Sequence, residues 1–391
     1  MKFIRDSIHG DIFLTQVEFK VVDTPEFQRL RRLKQLGMTY LVYPSANHTR
    51  FEHSLGALHL AGRVADRLGL SEEDKKKIRI AALLHDIGHG PLSHTSEALL
   101  ECYLNESHEK ITRSIVESSA IAAIIEKSGI EARDVVTILQ GSSYLSKIIS
   151  GEFDVDRADF LVRDAHHTGV GYGIVDLDRL INTMQIFKGN LVVEGGGLKA
   201  VEALLVARFL MTPTVYLHHT SRIADAMFLK ATERAIEEGL LHYEMLYKMD
   251  DYDIQNLFRN SSGYVREMGE RFDERKLFKK AYSREWYELD ASLRDKLLKL
   301  RRKVEKWRKL EDEIAGECSL NRGYVLLDIP SLPYKEMRAS ILKDGKLLKL
   351  EEASPLVKIL KEAWKGQWDV AIYTPKEHVE KVSKVELEDY L

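Results

Sequence analysis

His85 and Asp86 are adjacent. Together they offer an imidazole nitrogen and a carboxylate oxygen, the donors that a borderline or hard divalent cation takes. Neighbouring residues on a helix point roughly 100° apart, because a turn holds ~3.6 residues. Both side chains therefore reach one ion only near a helix end, and Gly88, Gly90 and Pro91 place an end there. His53 and Asp156, each at the start of its own expected helix, are the further donor candidates. Four donors from three helix ends leave coordination positions open for water and a substrate oxygen, as a catalytic centre requires. A lone buried histidine is more often a hydrogen-bonded core residue. Here, however, His85, Asp86, His89 and His94 crowd into one short stretch, which a core helix has no need of.

Such a centre binds phosphate and polarises a water molecule. Cleaving a phosphate ester also demands a proton for the departing oxygen, and histidine is the usual donor. His89, His94 and His108 are the candidates. Two stripes spaced by four residues carry unusual chemistry for a helix face: Asp156, Phe160 and Asp164, and then Arg208, Thr212 and Tyr216.

The elements that must position these groups read as mostly helical. A short strand or turn, IHGDIFLT, is followed by a helix over Pro25–Leu36. Leu55, Leu58, Ala61, Ala65 and Leu68 recur at helical spacing after His53. Ser71 and Asp74 open the next helix, which runs through IRIAALLHD. Further helices are expected over His108–Lys127 and Asp156–His167, the latter capped by Asp154. NLVVEGGGLKA reads as a β-hairpin around a glycine turn, and a long helix kinked at Pro213 follows from Val201 to Glu238. Beyond a boundary near residue 240 the chain is charged and helical, then strand-like in GYVLLDIP, SILKDGKLLKL and WDVAIYTP. The fold class is thus mostly α, with a small β-hairpin and a C-terminal α+β region. The domains expected are 1–240, holding the site, and 241–391.

Composition sets the frame. With 391 residues, 44% hydrophobic and 30% charged, the chain has ample core for one large or two smaller domains. No apolar run is long enough for a membrane span, and MKFIRDSIHGDIF lacks the apolar centre of a secretory signal. Cys102 and Cys318 lie far apart and form no metal-spacing motif, which fits a reducing cytoplasmic setting. A net charge of −3 excludes a molecule that binds polyanions with its whole surface, so any phosphate site must be built locally. The basic run KLLKLRRKVEKWRK is a candidate for nucleic acid, although a solvated helix face explains it more simply.

In order, DTPEFQRLRRLKQLG, HTRFEHSLG, ALLHDIGHGPLSH and DVDRADFLVRDAHH resemble the motifs of the HD-domain dNTP triphosphohydrolases, over at least residues 2–225. The resemblance implies an HD-domain helical core and conversion of dNTPs to deoxynucleoside and inorganic triphosphate. It assigns one divalent ion (Mn, Fe, Zn, Ni or Mg) to His53, His85, Asp86 and Asp156, with a second Mg accompanying the nucleotide. His94 becomes the general acid, oriented by Glu97, with His89 and His108 lining the phosphate pocket. Arg50, Arg157 and Arg208 fall on the triphosphate-binding positions, Arg157 standing where the animal enzymes carry lysine. Gln35 and Asp164 would contact the 3′-hydroxyl, and Tyr216 would crowd the 2′ carbon. Phe160 replaces a tyrosine and Thr212 a histidine of the animal pattern. Lys2, Asp23, Gln28 and Arg31 fall on an activating guanine-nucleotide site, which in the family lies between subunits of a homo-oligomer, a dimer or tetramer. The alternatives are an HD-type phosphomonoesterase or phosphodiesterase, or a nucleotide-sensing scaffold without turnover.

Overall fold

A computed structural model of the chain describes residues 2–104, 107–141, 145–329, 340–364 and 367–391. Helices dominate, and strands are confined to small sheets. No single helix among the described residues is long and apolar enough to cross a membrane. Two compact units interleave along the chain. The first comprises Met1–Met211, Leu246–Tyr252 and Lys335–Leu360, and the second comprises Thr212–Met245, Asp253–Tyr334 and Lys361–Leu391.

In the first unit an antiparallel hairpin, β1 (Lys2–Asp6) and β2 (Gly10–Leu14), leads into α1 (Gln16–Val22) and α2 (Pro25–Arg29). The helix expected over Pro25–Leu36 stops at Arg29, apart from one 3-10 turn to Arg32. Tertiary pairing ends it: Lys34 bridges Thr49, and the Gln35 N–H reaches the His48 carbonyl at 3.0 Å. The helix α3 (Arg50–Leu68) starts where Glu52 accepts the Thr49 N–H at 3.1 Å and ends on Gly69 at φ +62°. It packs on α4 (Glu72–Leu84), opened by Ser71, which accepts the Asp74 N–H at 3.1 Å. Leu55, Leu58, Ala61 and Val64 of α3 and Ile78, Ala81 and Leu83 of α4 are all buried, giving the site a rigid floor.

After α4 come α5 (His94–Leu104), α6 (His108–Ser118), α7 (Ala120–Glu126), α8 (Ala132–Leu139), α9 (Ser146–Ile149) and α10 (Val155–Thr168). The single helix expected over His108–Lys127 is two, because Ser119 is extended and caps the second. As expected, Asp154 caps α10, accepting the Arg157 N–H at 2.7 Å. A short helix, α11 (Leu177–Asn182), precedes β3 (Met184–Phe187) and β4 (Asn190–Glu194). Here the hairpin reading needs correcting. The turn is Lys188–Gly189, both at positive φ, while Gly195–Gly197 forms a 3-10 turn that delivers the chain into α12 (Leu198–Met211). The hairpin is extended in parallel by the Ser340–Lys343 strand, itself paired with Lys346–Lys349.

The second unit begins at Thr212–Tyr216, a π turn containing Pro213, where the long helix expected from the sequence is broken. His219–Glu237 resumes as a helix and packs with Gly263–Asp273. Val304–Glu317 and the antiparallel strands Lys279–Glu285, Asp369–Thr374 and Leu326–Asp328 complete this unit's core. Arg308, within the basic run, binds Glu233 at 2.7 Å and Glu311 at 3.0 Å in a mostly buried ion network. At least this arginine faces the protein.

Candidate metal centre

Three helix ends bring the four candidate donors together. His53 sits in the first turn of α3, His85 and Asp86 follow the last turn of α4, and Asp156 lies in the first turn of α10. His53 Nε2 is 3.2 Å from His85 Nε2, 3.1 Å from Asp156 Oδ1 and 3.6 Å from Asp86 Oδ2. His85 Nε2 is 3.3 Å from Asp86 Oδ1 and 3.7 Å from Asp156 Oδ1. Metal–ligand bonds of about 2.1 Å put neighbouring ligands roughly 3 Å or a little more apart, which these separations match.

The tautomers test the fit. His53 Nδ1 donates to Asp159 Oδ2 at 2.8 Å, and His85 Nδ1 donates to the Ala82 carbonyl at 2.7 Å. In the neutral rings both Nε2 atoms are then acceptors. Both lone pairs then point into one cluster of carboxylate oxygens, where a proton or a shared cation fits between them. The charge balance agrees. Burial opposes a charged His53, yet Asp156, Asp159 and Asp86 outweigh it and lift the ring to about 10. Burial likewise pushes Asp86 upward, but Arg50 and the surrounding histidines hold it well below the usual carboxylate range. Burial also opposes ionisation of Asp156, and His53 and His85 hold it low. The pocket is built for positive charge, and its donors suit a divalent ion.

Behind the donors lies a fixed network that motif reasoning overlooked. Asp159 accepts from His53, from His9 Nε2 at 2.7 Å and from Arg163 at 2.8 and 2.9 Å. Arg163 in turn binds Asp6 at 2.8 Å. All these side chains are almost wholly buried. Gly56 makes the close approach possible, because a Cβ there would lie 1.8 Å from Asp159 Oδ1. The spacing of Asp159 from Asp156 and from Arg163 along one helix was the available signal. Gly88 has a similar part: a Cβ would lie 2.3 Å from the His108 carbonyl. The Gly88 N–H donates to Thr112 Oγ1 at 3.0 Å, and Thr112 Oγ1 donates to the His85 carbonyl at 3.2 Å. These contacts dock α6 on the turn after α4.

That docking stacks His108 on His89, with ring centres 4.0 Å apart. His89 Nδ1 lies 3.5 Å from Asp86 Oδ1. Glu97 hydrogen-bonds His108 Nδ1. The His94 side chain lies outside the described residues, although its backbone begins α5. The turn before it is tense: Leu92 and Ser93 have φ of +52° and +54°. Buried Asp251 fastens this turn, accepting the Leu92 and Lys34 N–H groups at 2.8 Å each.

Arg50 is buried beside the donors. It ion-pairs with Asp86, donates through Nε to Ser93 Oγ at 2.5 Å, and keeps Nη2 without a partner among the described residues. Arg157 is engaged by Asp154 and the Gly151 carbonyl. Phe160 stands edge-on to His53, with ring centres 6.5 Å apart. Asp164 is buried against His48, and Gln35 is buried with Oε1 unpartnered among the described residues. Arg208 ends α12, while Tyr216 belongs to the second unit. Of the guanine-nucleotide positions, Lys2 lies over the Phe19 ring, Asp23 caps α1, and Gln28 accepts from Arg31, which lies over Phe51.

The comparisons with known proteins agree with this geometry. Residues 50–164 match the HD domain, and residues 175–391 match the HD associated region. An uncharacterized protein of Methanocaldococcus jannaschii is 37% identical, the match covering 100% of this chain and 82% of that one. The crystal structure of a phosphohydrolase from Bacteroides thetaiotaomicron superposes with a TM-score of 0.78 at 25% identity, covering 96% of this chain and 100% of the other. The human deoxynucleoside triphosphate triphosphohydrolase SAMHD1 is 34% identical over 44% of this chain, which is 34% of the human protein. With an HD domain built around His85 and Asp86 and the associated region behind it, the chain belongs to the HD-domain phosphohydrolases.

Proposed function

We propose that this protein hydrolyses deoxynucleoside triphosphates to deoxynucleoside and inorganic triphosphate. The observation that carries the reading is the convergence of His53, His85, Asp86 and Asp156 beside the buried, partly unpaired guanidinium of Arg50. A divalent ion held by those four residues would supply Lewis acidity toward the phosphate and its attacking water. Arg50 offers Nη2 to a phosphate oxygen while it orients Asp86. His89 and His108 face the same corner, and the Glu97 carboxylate favours a proton on His108. His94, at the start of α5, is assigned the proton for the 5′ oxygen by resemblance to the family, and Arg157 and Arg208 the outer phosphates. Arg157 reaches them by exchanging its Asp154 partner for phosphate.

Gln35 and Asp164 are assigned to the 3′-hydroxyl, Phe160 to the sugar's surroundings and Tyr216 to the 2′ face. A ring against the 2′ carbon excludes a ribose hydroxyl by sterics and desolvation together. Lys2, Asp23, Gln28 and Arg31 are retained as the activating guanine-nucleotide site of a homo-oligomer. A cytoplasmic setting completes the reading.

One observation favours a second reading. Both Arg50 and Arg157 are already paired with carboxylates, so fewer cations stand ready than a triphosphate demands. That arrangement suits an HD phosphomonoesterase or phosphodiesterase. A panel of dNTPs, NTPs, monophosphates and cyclic nucleotides, tested with Mn, Fe, Zn, Ni and Mg and with and without GTP, separates the two. Product separation by anion exchange should show inorganic triphosphate from dGTP, faster than from GTP, with the preference relaxed in Tyr216→Ala. Orthophosphate or a monophosphate as the main product rejects the first reading.

A further inference from the structure

His48 belongs to neither the donor cluster nor the phosphate corner, yet it is nearly as buried as His53. Its Nε2 lies 2.8 Å from Asp164 Oδ1. A carboxylate only accepts, so the proton of that bond resides on Nε2. The ring stacks on His167, with centres 4.4 Å apart and planes 13° from parallel. Burial, with His48 and His166 beside it, pushes His167 down to about 4, so the stacked partner is neutral. Ser45 Oγ donates to the His167 carbonyl at 2.5 Å, tying the loop that carries His48 to the end of α10. On its other side, the His48 carbonyl accepts the Gln35 N–H at 3.0 Å.

One residue thus touches both groups assigned to the 3′-hydroxyl: Asp164 through its ring and Gln35 through its backbone. Two buried atoms here, Gln35 Oε1 and His48 Nδ1, have no hydrogen-bond partner among the described residues. Buried polar atoms are normally paired, so unpaired ones at a candidate pocket point to a polar ligand.

We propose that His48 is a positioning residue for sugar recognition, locking the Asp164 carboxylate and the Gln35 backbone so that the site reads the substrate's 3′-hydroxyl. This rests on the dNTP reading above. The physical argument is one of order. A buried carboxylate with a fixed donor on one oxygen keeps one rotamer, and a hydroxyl-reading site discriminates only when its own groups cannot find other partners. His48 supplies the donor and the stacked plane that prevents its rotation.

The test compares kcat/KM for dGTP and 2′,3′-dideoxy-GTP in wild type, Asp164→Ala, His48→Phe and His48→Gln. Phenylalanine keeps a stacked ring and loses the N–H. Glutamine restores an N–H near the Nε2 position. Wild type should favour dGTP, and Asp164→Ala and His48→Phe should each shrink that preference by at least about tenfold. His48→Gln should keep it within roughly threefold. A preference lost in Asp164→Ala but intact in His48→Phe overturns the role of His48 alone. Loss in His48→Gln as complete as in His48→Phe does the same. Equal use of both nucleotides by wild type overturns the sugar assignment itself, and the role of His48 with it. Should His48→Phe fail to fold, His48→Gln decides the matter, because it retains the donor and must retain the preference.

Discussion

Asp159 Oδ2 accepts a hydrogen bond from His53 Nδ1 at 2.8 Å, and this contact decides which nitrogen of His53 faces the donor cluster. Carboxylate, imidazole and cation in series form a familiar outer-shell arrangement, in which the carboxylate sets the tautomer and raises ligand basicity. Asp159→Asn keeps the size and removes the charge. Metal affinity should fall about 10–100-fold, as outer-shell losses typically do. Titration of the metal-free protein with Mn or Zn, followed by calorimetry, measures it. Unchanged affinity would mean that the Asp159 charge does not act on the metal through His53.

Gly56→Ala should act on the same network from the opposite side. Its Cβ would lie 1.8 Å from Asp159 Oδ1 and 2.5 Å from an Arg163 nitrogen, so both must shift. Overpacking of this kind costs about 1–3 kcal/mol. Thermal unfolding should show the loss, and metal content should drop with it. A variant with wild-type melting and full metal would contradict the packing described for α3 and α10.

Glu97 and His108 give a pH prediction. Burial works against a charged His108, but Glu97 outweighs it and raises the ring above its ordinary value. A raised histidine contributes stability below its unfolded pKa and loses that contribution as pH rises through the folded one. Glu97→Gln removes the anion that favours the proton, so the folded pKa falls. If protonated His108 serves the phosphate, the alkaline limb of kcat/KM should move to lower pH, with a rate loss on the order of 10²-fold near neutrality. An alkaline limb that stays in place would separate His108 from the reaction.

The donor set was legible because its logic is local. His85 and Asp86 precede a glycine-rich stop, and Asp154 marks the helix start that delivers Asp156. Its support was not legible, because those contacts close over long stretches of chain. His9 meets Asp159 across 150 positions, and Asp6 meets Arg163 across 157. The same holds for the fold. A run that looks helical through Leu36 ends early because residues 33–35 pair with residues 48–50, a partner no local pattern reveals. The three glycines at 195–197 are a stronger turn signal than Lys188–Gly189, yet the antiparallel register places the hairpin turn at the latter pair. Arg50 was read as a phosphate ligand from its motif, and only the fold discloses its ion pair with Asp86.

The most direct test of the proposed reaction is hydrolysis of dGTP in H₂¹⁸O, with the metal-loaded protein and mass spectrometry of all products. Attack of water on the α-phosphorus, with the 5′ oxygen leaving, places one ¹⁸O in inorganic triphosphate and none in deoxyguanosine. That result is predicted, and it should vanish when His85 and Asp86 are both replaced by alanine. Label appearing in orthophosphate or in a nucleoside monophosphate, with no triphosphate formed, would contradict it.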